Sequence, residues 1–187
     1  MKKYLLYILT AITLLFACTF TVQAAAEDKT PAELPGLTYD HRMELSYAQE
    51  FSVDYYNDGY TLITIVDEGQ YLLVPEGKEA PEGLDKNITV LQQPLDNIYL
   101  VATSAMDLFR AIDGIDNIRL SGTKENGWYI QEAKDAMEAG NMIYAGKYNA
   151  PDYELILNEG CNLVIESTMI HHNPEVQEKL EQFGIPV

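Results

Sequence analysis

Two different patterns of apolar and polar positions divide the chain. From residue 51 to residue 74, apolar side chains form three short runs separated by turn sequences that contain Asp and Gly. Aspartate followed by glycine between apolar runs is a strong hairpin signal. The pattern predicts a β-meander with strands at residues 51–55, 60–66 and 70–74, followed by a surface loop at residues 75–86.

After residue 88 the pattern changes to short apolar runs that alternate with helical periodicity, which predicts a parallel sheet flanked by helices. The predicted strands are residues 98–102, 118–120, 142–145 and 163–165. The predicted helices are residues 104–112, opened by a capping box from Ser104 to Asp107, and then residues 131–139, 152–158 and 174–183. The predicted fold class is α/β, with an N-terminal β-meander before the parallel sheet.

The C-terminal residues follow the rules for helix ends. Pro174 after Asn173 marks a first helical position, and Gly184 stands where the residue after a helix adopts a left-handed conformation. Residues 185–187, Ile-Pro-Val, resemble the start of another strand. Because a parallel sheet has no natural boundary at such a strand, we expect the chain to be one lobe of a larger protein.

The N-terminus has the layout of a secretory signal, with Lys2 and Lys3 before an apolar segment. The small residues at positions 24–26 offer a cleavage site, and Cys18 lies in a sequence that resembles a lipoprotein box. Both routes predict an extracytoplasmic protein, lipid-anchored in the second case. We expect a signal peptide at residues 1–26, a linker at residues 27–50 and a binding lobe at residues 51–187.

The chain has 12 Lys and Arg against 29 Asp and Glu, a net charge of −17. This balance argues against nucleic acid as a partner, since a phosphate backbone requires a basic surface. Acidity also keeps an exposed protein soluble, which by itself explains the excess. Cys161 precedes an apolar strand, where a buried and unreactive thiol is expected.

In open α/β sheets, ligands bind beyond the carboxyl ends of the strands, where loop amides and helix N-termini converge. Four loops of the predicted sheet occupy such positions. They are residues 103–106, 121–128, 146–148 and 166–172.

Three sequence stretches resemble one family. They are PLDNIYLVATSAM at residues 94–106, GKYNAPDYE at residues 146–154, and NLVI at residues 162–165 followed by NPEVQEKL at residues 173–180. Their order and spacing resemble the extracytoplasmic substrate-binding proteins of iron-siderophore, haem and vitamin B12 ABC importers.

The resemblance implies a Rossmann-like lobe, one of two joined by a rigid helix, with the ligand in the cleft between them. This chain then corresponds to the N-terminal lobe, truncated before the connecting helix, and is expected to bind weakly. It implies a transport protein, not an enzyme, that needs no cofactor and delivers a metal chelate or tetrapyrrole to a membrane permease. The low arginine content of the four loops favours a neutral, cationic or metal-tetrapyrrole ligand over a highly anionic one.

Candidate ligand-binding residues come from these loops. Trp128 lies in a loop and suits either ligand stacking or the core, where most large aromatic side chains serve burial. Tyr148 is an aromatic residue within a polar loop, and flat ligands stack on such rings. Hydroxyl and thioether groups complete the set: Ser104, Met106, Ser167, Thr168 and Met169.

Glu175 matches the position at which the family places an acidic residue that docks onto arginines of the permease. The simpler interpretation is an acid in the first helical turn that complements the helix dipole. The two roles are compatible.

A metal site and an enzyme are the alternatives. His171 and His172 are adjacent and therefore point in different directions, and neither they nor His41 belong to a familiar ligand spacing. The sequence contains no nucleophile elbow, HExxH, CxxC or phosphate-binding glycine loop. A secreted chelatase-like or hydrolytic enzyme remains the competing hypothesis, and an adhesion or scaffold protein is a third.

Overall fold

Two large β-sheets and one two-stranded sheet, within residues 146–151, make up the β-structure of the part of the chain that the computed structural model describes, residues 30–187. The predicted signal peptide lies outside these residues. The strands are β1 (Tyr39–Arg42), β2 (Phe51–Tyr56), β3 (Thr61–Ile65), β4 (Gly69–Val74), β5 (Ile88–Gln92), β6 (Ile98–Leu100), β7 (Ile118–Ser121), β8 (Ile143–Tyr144), β9 (Gly146–Lys147), β10 (Ala150–Pro151) and β11 (Leu163–Ile165). The α-helices are α1 (Met106–Ala111), α2 (Gln131–Glu138), α3 (Tyr153–Asn158) and α4 (Pro174–Gln182).

The first sheet has five strands in the order β1-β2-β3-β4-β5. The meander β2-β3-β4 is antiparallel as predicted, and each of its turns contains an aspartate with left-handed backbone, Asp58 at φ 60° and Asp67 at φ 62°. Strand β1 adds to β2 from within the segment expected to be a linker, and β5 pairs parallel to β4. The sheet is therefore mixed and larger than the sequence predicts.

The second sheet is fully parallel, with the strand order β11-β6-β7-β8. The chain proceeds from β6 to β7 and β8, and then returns past β6 to place β11 on its other side. The connections that leave β6 and β11 therefore diverge. This divergence is the topological switch point at which open α/β sheets bind ligands.

Residues on the two faces of the second sheet alternate between two cores. Tyr99 and Val164 lie in one core with residues from α3 and α4, whereas Leu100 and Ile118 lie in the other with residues from α1 and α2. This alternation follows from the strand period of two. Helices cover both faces, which confirms the predicted α/β fold class.

Several predicted helix ends are confirmed and one is wrong. The Asp152 carboxylate caps α3 by accepting a hydrogen bond from the Leu155 amide at 3.1 Å, α4 begins at Pro174, and Gly184 has φ 77°. Ser104 does not cap a helix. It lies inside a 3₁₀ turn, Thr103–Ala105, and α1 begins after this turn without a side-chain cap.

Residues 185–187 do not form the predicted strand. The Pro186 carbonyl nevertheless accepts a hydrogen bond from the Val164 amide at 2.9 Å. The chain therefore runs beside β11, on the side away from β6. In the described part, residues 30–187, no helix is both long enough and apolar enough to span a membrane.

Candidate functional site

An open cavity of about 370 Å³ lies at the carboxyl edge of the parallel sheet. All four loops expected at this edge do follow its strands, because β6, β7, β8 and β11 are parallel. Three of these loops and the end of β8 line the cavity. We call it the strand-end cavity, and its lining residues are Val101, Thr103, Gly122, Thr123, Lys124, Tyr144, Lys147 and Tyr148.

The loop after β7 lies close to the end of β6 because it contains Gly122. A Cβ atom at this position would come within 2.9 Å of the Val101 backbone, and the Gly122 amide donates to the Leu100 carbonyl at 2.8 Å. Ser121 fixes the start of the same loop. Its hydroxyl donates to the Thr123 carbonyl at 2.7 Å and accepts from the Trp128 indole N–H at 3.3 Å.

The hairpin of β9 and β10 presents Tyr148 to the cavity, and Gly146 makes this hairpin possible. Gly146 has φ 98°, and a Cβ atom there would collide with the Ala150 carbonyl oxygen. The buried Tyr99 hydroxyl donates to the Gly146 carbonyl at 3.0 Å. Burial raises the pKa of Tyr99, so this phenol remains a neutral donor.

Two lysines give the strand-end cavity a positive character. The Lys124 ammonium group lies 5.2 Å from the centre of the Tyr144 ring, in cation–π geometry. Lys147 lies on β9, next to Tyr148. Within the part of the chain that the structure describes, no Asp or Glu lines this cavity.

Glu166 is a half-buried acid at the topological switch point, directly after β11. Among the described residues neither carboxylate oxygen has a hydrogen-bond partner, and both are shielded from solvent. Burial of the carboxyl group raises the pKa of Glu166 to about 7, and the effect of the neighbouring Ser167 backbone offsets this only in part. The charge of Glu166 contributes in turn to the raised pKa of Tyr99. The carboxyl group therefore retains its proton at higher pH than an ordinary glutamate.

A second, larger groove of about 610 Å³ lies at the opposite, amino edge of the sheet. Four acids and one arginine are among its lining residues: Asp113, Asp116, Glu132, Asp135 and Arg110. We call it the acidic groove. Because α/β sheets bind ligands at the carboxyl ends of their strands, the strand-end cavity is the candidate site.

The structure brings one predicted ligand residue, Tyr148, into this cavity. The other exposed candidates lie in the loops at the same edge but do not line it: Ser104, Ser167, Thr168 and Met169. Ligand contacts by these four residues stay predictions. The loop after β11, which holds three of them, contributes no lining residue to the cavity.

Met106 and Trp128 require correction as ligand contacts. Met106 is fully buried and Trp128 is 5% exposed, and both pack in the core that also contains Leu100 and Ile118. The indole N–H of Trp128 is already bonded to Ser121. Burial of apolar area explains these positions, so Trp128 follows the core interpretation.

Glu175 is exposed in the first turn of α4, as a docking residue would have to be, and forms no ion pair within the described part of the chain. Cys161 is a buried free thiol, as expected, and burial raises its pKa. His171 and His172 are exposed, and in residues 30–187 no group of three or more His, Cys, Asp or Glu has metal-binding geometry.

Sequence reasoning missed four residues near the site: Lys124, Lys147, Tyr144 and Glu166. Both lysines lie in loops that the sequence assigns to the ligand edge, so a count of lysines as well as arginines in these loops would have found them. Glu166 ends an apolar strand and gives no local sign of its burial.

Comparisons of the chain with protein-family models, with curated proteins and with solved structures give no match.

Proposed function

We propose that residues 51–187 act as the N-terminal lobe of an extracytoplasmic solute-binding protein. The lobe captures a metal chelate or a tetrapyrrole and delivers it to the permease of an ABC importer. The proposal unites the signal-like N-terminus, the family resemblance of the three sequence stretches and the cavity at the strand ends.

The position of the strand-end cavity carries the proposal. It lies at the carboxyl edge of the parallel sheet, and the loops that follow β6, β7 and β8 contribute to it. Its opening leaves room for a ligand larger than the cavity itself. Rings, hydroxyls and ammonium groups in its lining suit non-covalent contacts with a flat ligand.

Glu175 is the proposed contact with the permease. It is exposed in the first turn of α4, and its carboxylate is available for a charge pair with a partner. Helix α4 begins beyond the carboxyl end of β11 and returns the chain to the side of that strand, so its N-terminus is on the ligand side of the sheet.

One experiment tests binding and docking together. The full chain and its Tyr148→Ala and Glu175→Ala variants are titrated by calorimetry with haemin, cyanocobalamin and ferric chelates, and uptake is measured in cells that express each form. Tyr148→Ala should weaken binding of the accepted ligand about tenfold, because a stacking ring is lost, and should reduce uptake. Glu175→Ala should reduce uptake and leave binding unchanged.

Two variants serve as matched controls. Tyr129→Ala removes a fully exposed tyrosine that does not line the cavity, and Glu154→Ala removes the first-turn acid of the neighbouring helix α3. Both should behave like the unmodified chain. Loss of uptake in Glu154→Ala instead of Glu175→Ala would move the docking role to α3, and failure of all probes to bind would overturn the proposed function.

A further inference from the structure

The strand-end cavity differs in charge from the rest of this acidic protein. The chain has 29 Asp and Glu against 12 Lys and Arg. Among the described residues, no acid lines this cavity, whereas Lys124 and Lys147 do. The acidic groove at the opposite edge has the reverse character, with four acids and one arginine. The linings of the strand-end cavity and the acidic groove therefore carry opposite excess charge.

Neither cavity lysine forms an ion pair with a carboxylate of the described residues. Within the described chain every arginine is paired with an acid: Arg42 with Asp54, Arg110 with Asp107 and Arg119 with Glu159. Lys124 and Lys147 have no Asp or Glu oxygen of residues 30–187 within 4.0 Å. In a protein with such an excess of acids, two unpaired ammonium groups at one cavity leave a local positive potential that attracts anions.

Aromatic rings lie beside these charges. Lys124 is over the ring of Tyr144, and Tyr148 follows Lys147 in the hairpin that borders the cavity. A ring that packs against the ligand and an ammonium group that pairs with its oxygens are the two contacts that an anionic, planar ligand requires.

We propose that the strand-end cavity binds the anionic oxygens of a planar ligand group, through Lys124 and Lys147, with Tyr148 packing against its face. This inference rests on the proposed function and narrows its ligand class. It reverses the expectation drawn from the scarcity of arginine in the loops, because lysines supply the charge. The same chemistry is offered by catecholate groups of a ferric chelate and by the propionates of haem.

Four probe ligands distinguish the effect of ligand charge from that of ligand size. They also distinguish catecholate groups from haem propionates. The full chain is titrated by calorimetry with a ferric tris-catecholate complex and with haemin, both anionic, and with cyanocobalamin, which is neutral, and ferrioxamine B, which is cationic. At least one anionic probe should bind, and its affinity should fall as salt is raised. The anionic probe that binds more tightly identifies the source.

Substitutions of the two cavity lysines test whether their charges bind the ligand. Lys124→Gln combined with Lys147→Gln should weaken the anionic probe about tenfold, since two partly exposed charge pairs are lost. The matched control combines Lys86→Gln, in the loop before β5, with Lys134→Gln, on α2; it makes the same change in net charge outside the cavity and should bind normally. Arginine at both cavity positions should restore binding.

The outcomes separate this inference from the proposed function. Tighter binding of cyanocobalamin or ferrioxamine B, or an anionic probe that binds the double glutamine variant as well as the original chain, overturns the charge assignment and leaves the transport function standing. Failure of all four probes overturns both. Circular dichroism of the double variant, expected to match the original chain, ensures that a loss of binding is not a loss of folding.

Discussion

Each of the two large sheets has a carboxyl group whose oxygens are shielded from solvent, but only one of the two groups is hydrogen-bonded. In the five-stranded sheet, Asp54 is 2% exposed and both its oxygens accept hydrogen bonds from Arg42, at 2.7 and 2.9 Å. At the end of the parallel sheet, Glu166 has no partner for either oxygen among the described residues. The first arrangement fastens the edge strand β1 to β2, and the second leaves a polar group unsatisfied.

This difference indicates which part of the protein contains a destabilising polar group. A buried charge that is paired and hydrogen-bonded holds its neighbours in one arrangement, whereas a buried and unpartnered carboxyl destabilises the folded state unless it is protonated. Such groups persist mainly where binding or chemistry requires them. The antiparallel strands of the first sheet therefore act as a scaffold, and the carboxyl edge of the second sheet carries the proposed function.

The largest expected change in stability comes from removing the ion pair between Arg42 and Asp54. Arg42→Met keeps the apolar stem and removes the guanidinium, which leaves the Asp54 charge buried and unpaired. We expect the free energy of unfolding at pH 7 to fall by about 3 kcal/mol, measured by urea denaturation.

Arg110→Met is the control for that variant, because Arg110 forms an exposed pair with Asp107. It should leave the urea midpoint unchanged. Equal midpoints for the two variants would mean that the Arg42–Asp54 pair does not fasten β1, and the contrast between the sheets would fail.

The next effect concerns the hairpin at the strand-end cavity. Gly146→Ala forces a side chain into left-handed backbone and against the Ala150 carbonyl, so we expect a loss of about 2–3 kcal/mol in unfolding free energy. Gly140→Ala is the control, because Gly140 has φ 76° with open space around it and should lose only about 1 kcal/mol. Thermal and urea unfolding of both variants measure the difference, and equal losses would contradict the close approach at Gly146.

The smallest expected effect concerns Glu166 and the pH dependence of the free energy of unfolding. The folded-state pKa of Glu166, about 7, is above its ordinary value of 4.5, so the folded state binds this proton more tightly than the unfolded state. The stability contributed by this proton is present below about pH 4.5 and is lost as the pH rises toward 7 and beyond. Glu166→Gln removes this dependence.

We expect Glu166→Gln to gain about 1–2 kcal/mol relative to the original chain between pH 4 and pH 8, after the shift is discounted for the exposed part of the residue. Urea denaturation at both pH values measures the gain. Glu178→Gln, at an exposed position on α4, should show no such change. A gain that is the same at both pH values would mean that Glu166 is ionised with a solvated carboxylate.

Local signals in the sequence were sufficient for most elements. Asp58 and Asp67 identify the hairpin turns, and Asp152, Pro174 and Gly184 mark helix ends, because each acts on backbone within a few residues. The four ligand-edge loops followed from the alternation of strands and helices, since parallel strands end at one edge.

Other features were outside the reach of local reasoning. Ser104 has the sequence of a capping box, yet the chain forms a 3₁₀ turn there before α1 begins. Trp128 and Met106 lie in loop or helix-start sequence, and only the packing of α1 and α2 against the sheet places them in the core. Strand β1 pairs with β2 over a separation that no turn signal spans.

The α/β class, the order of the elements and the common edge at which the parallel strands end follow from the sequence, because periodicity and turn chemistry are properties of neighbouring residues. The tertiary structure alone decided the strand order β11-β6-β7-β8, the addition of β1 and β5 to the first sheet, and the surroundings of Lys124, Lys147 and Glu166. These depend on contacts between residues far apart in the chain. Charge and burial at a site are sums over such contacts, so the proposed ligand class could be argued only from the assembled strands.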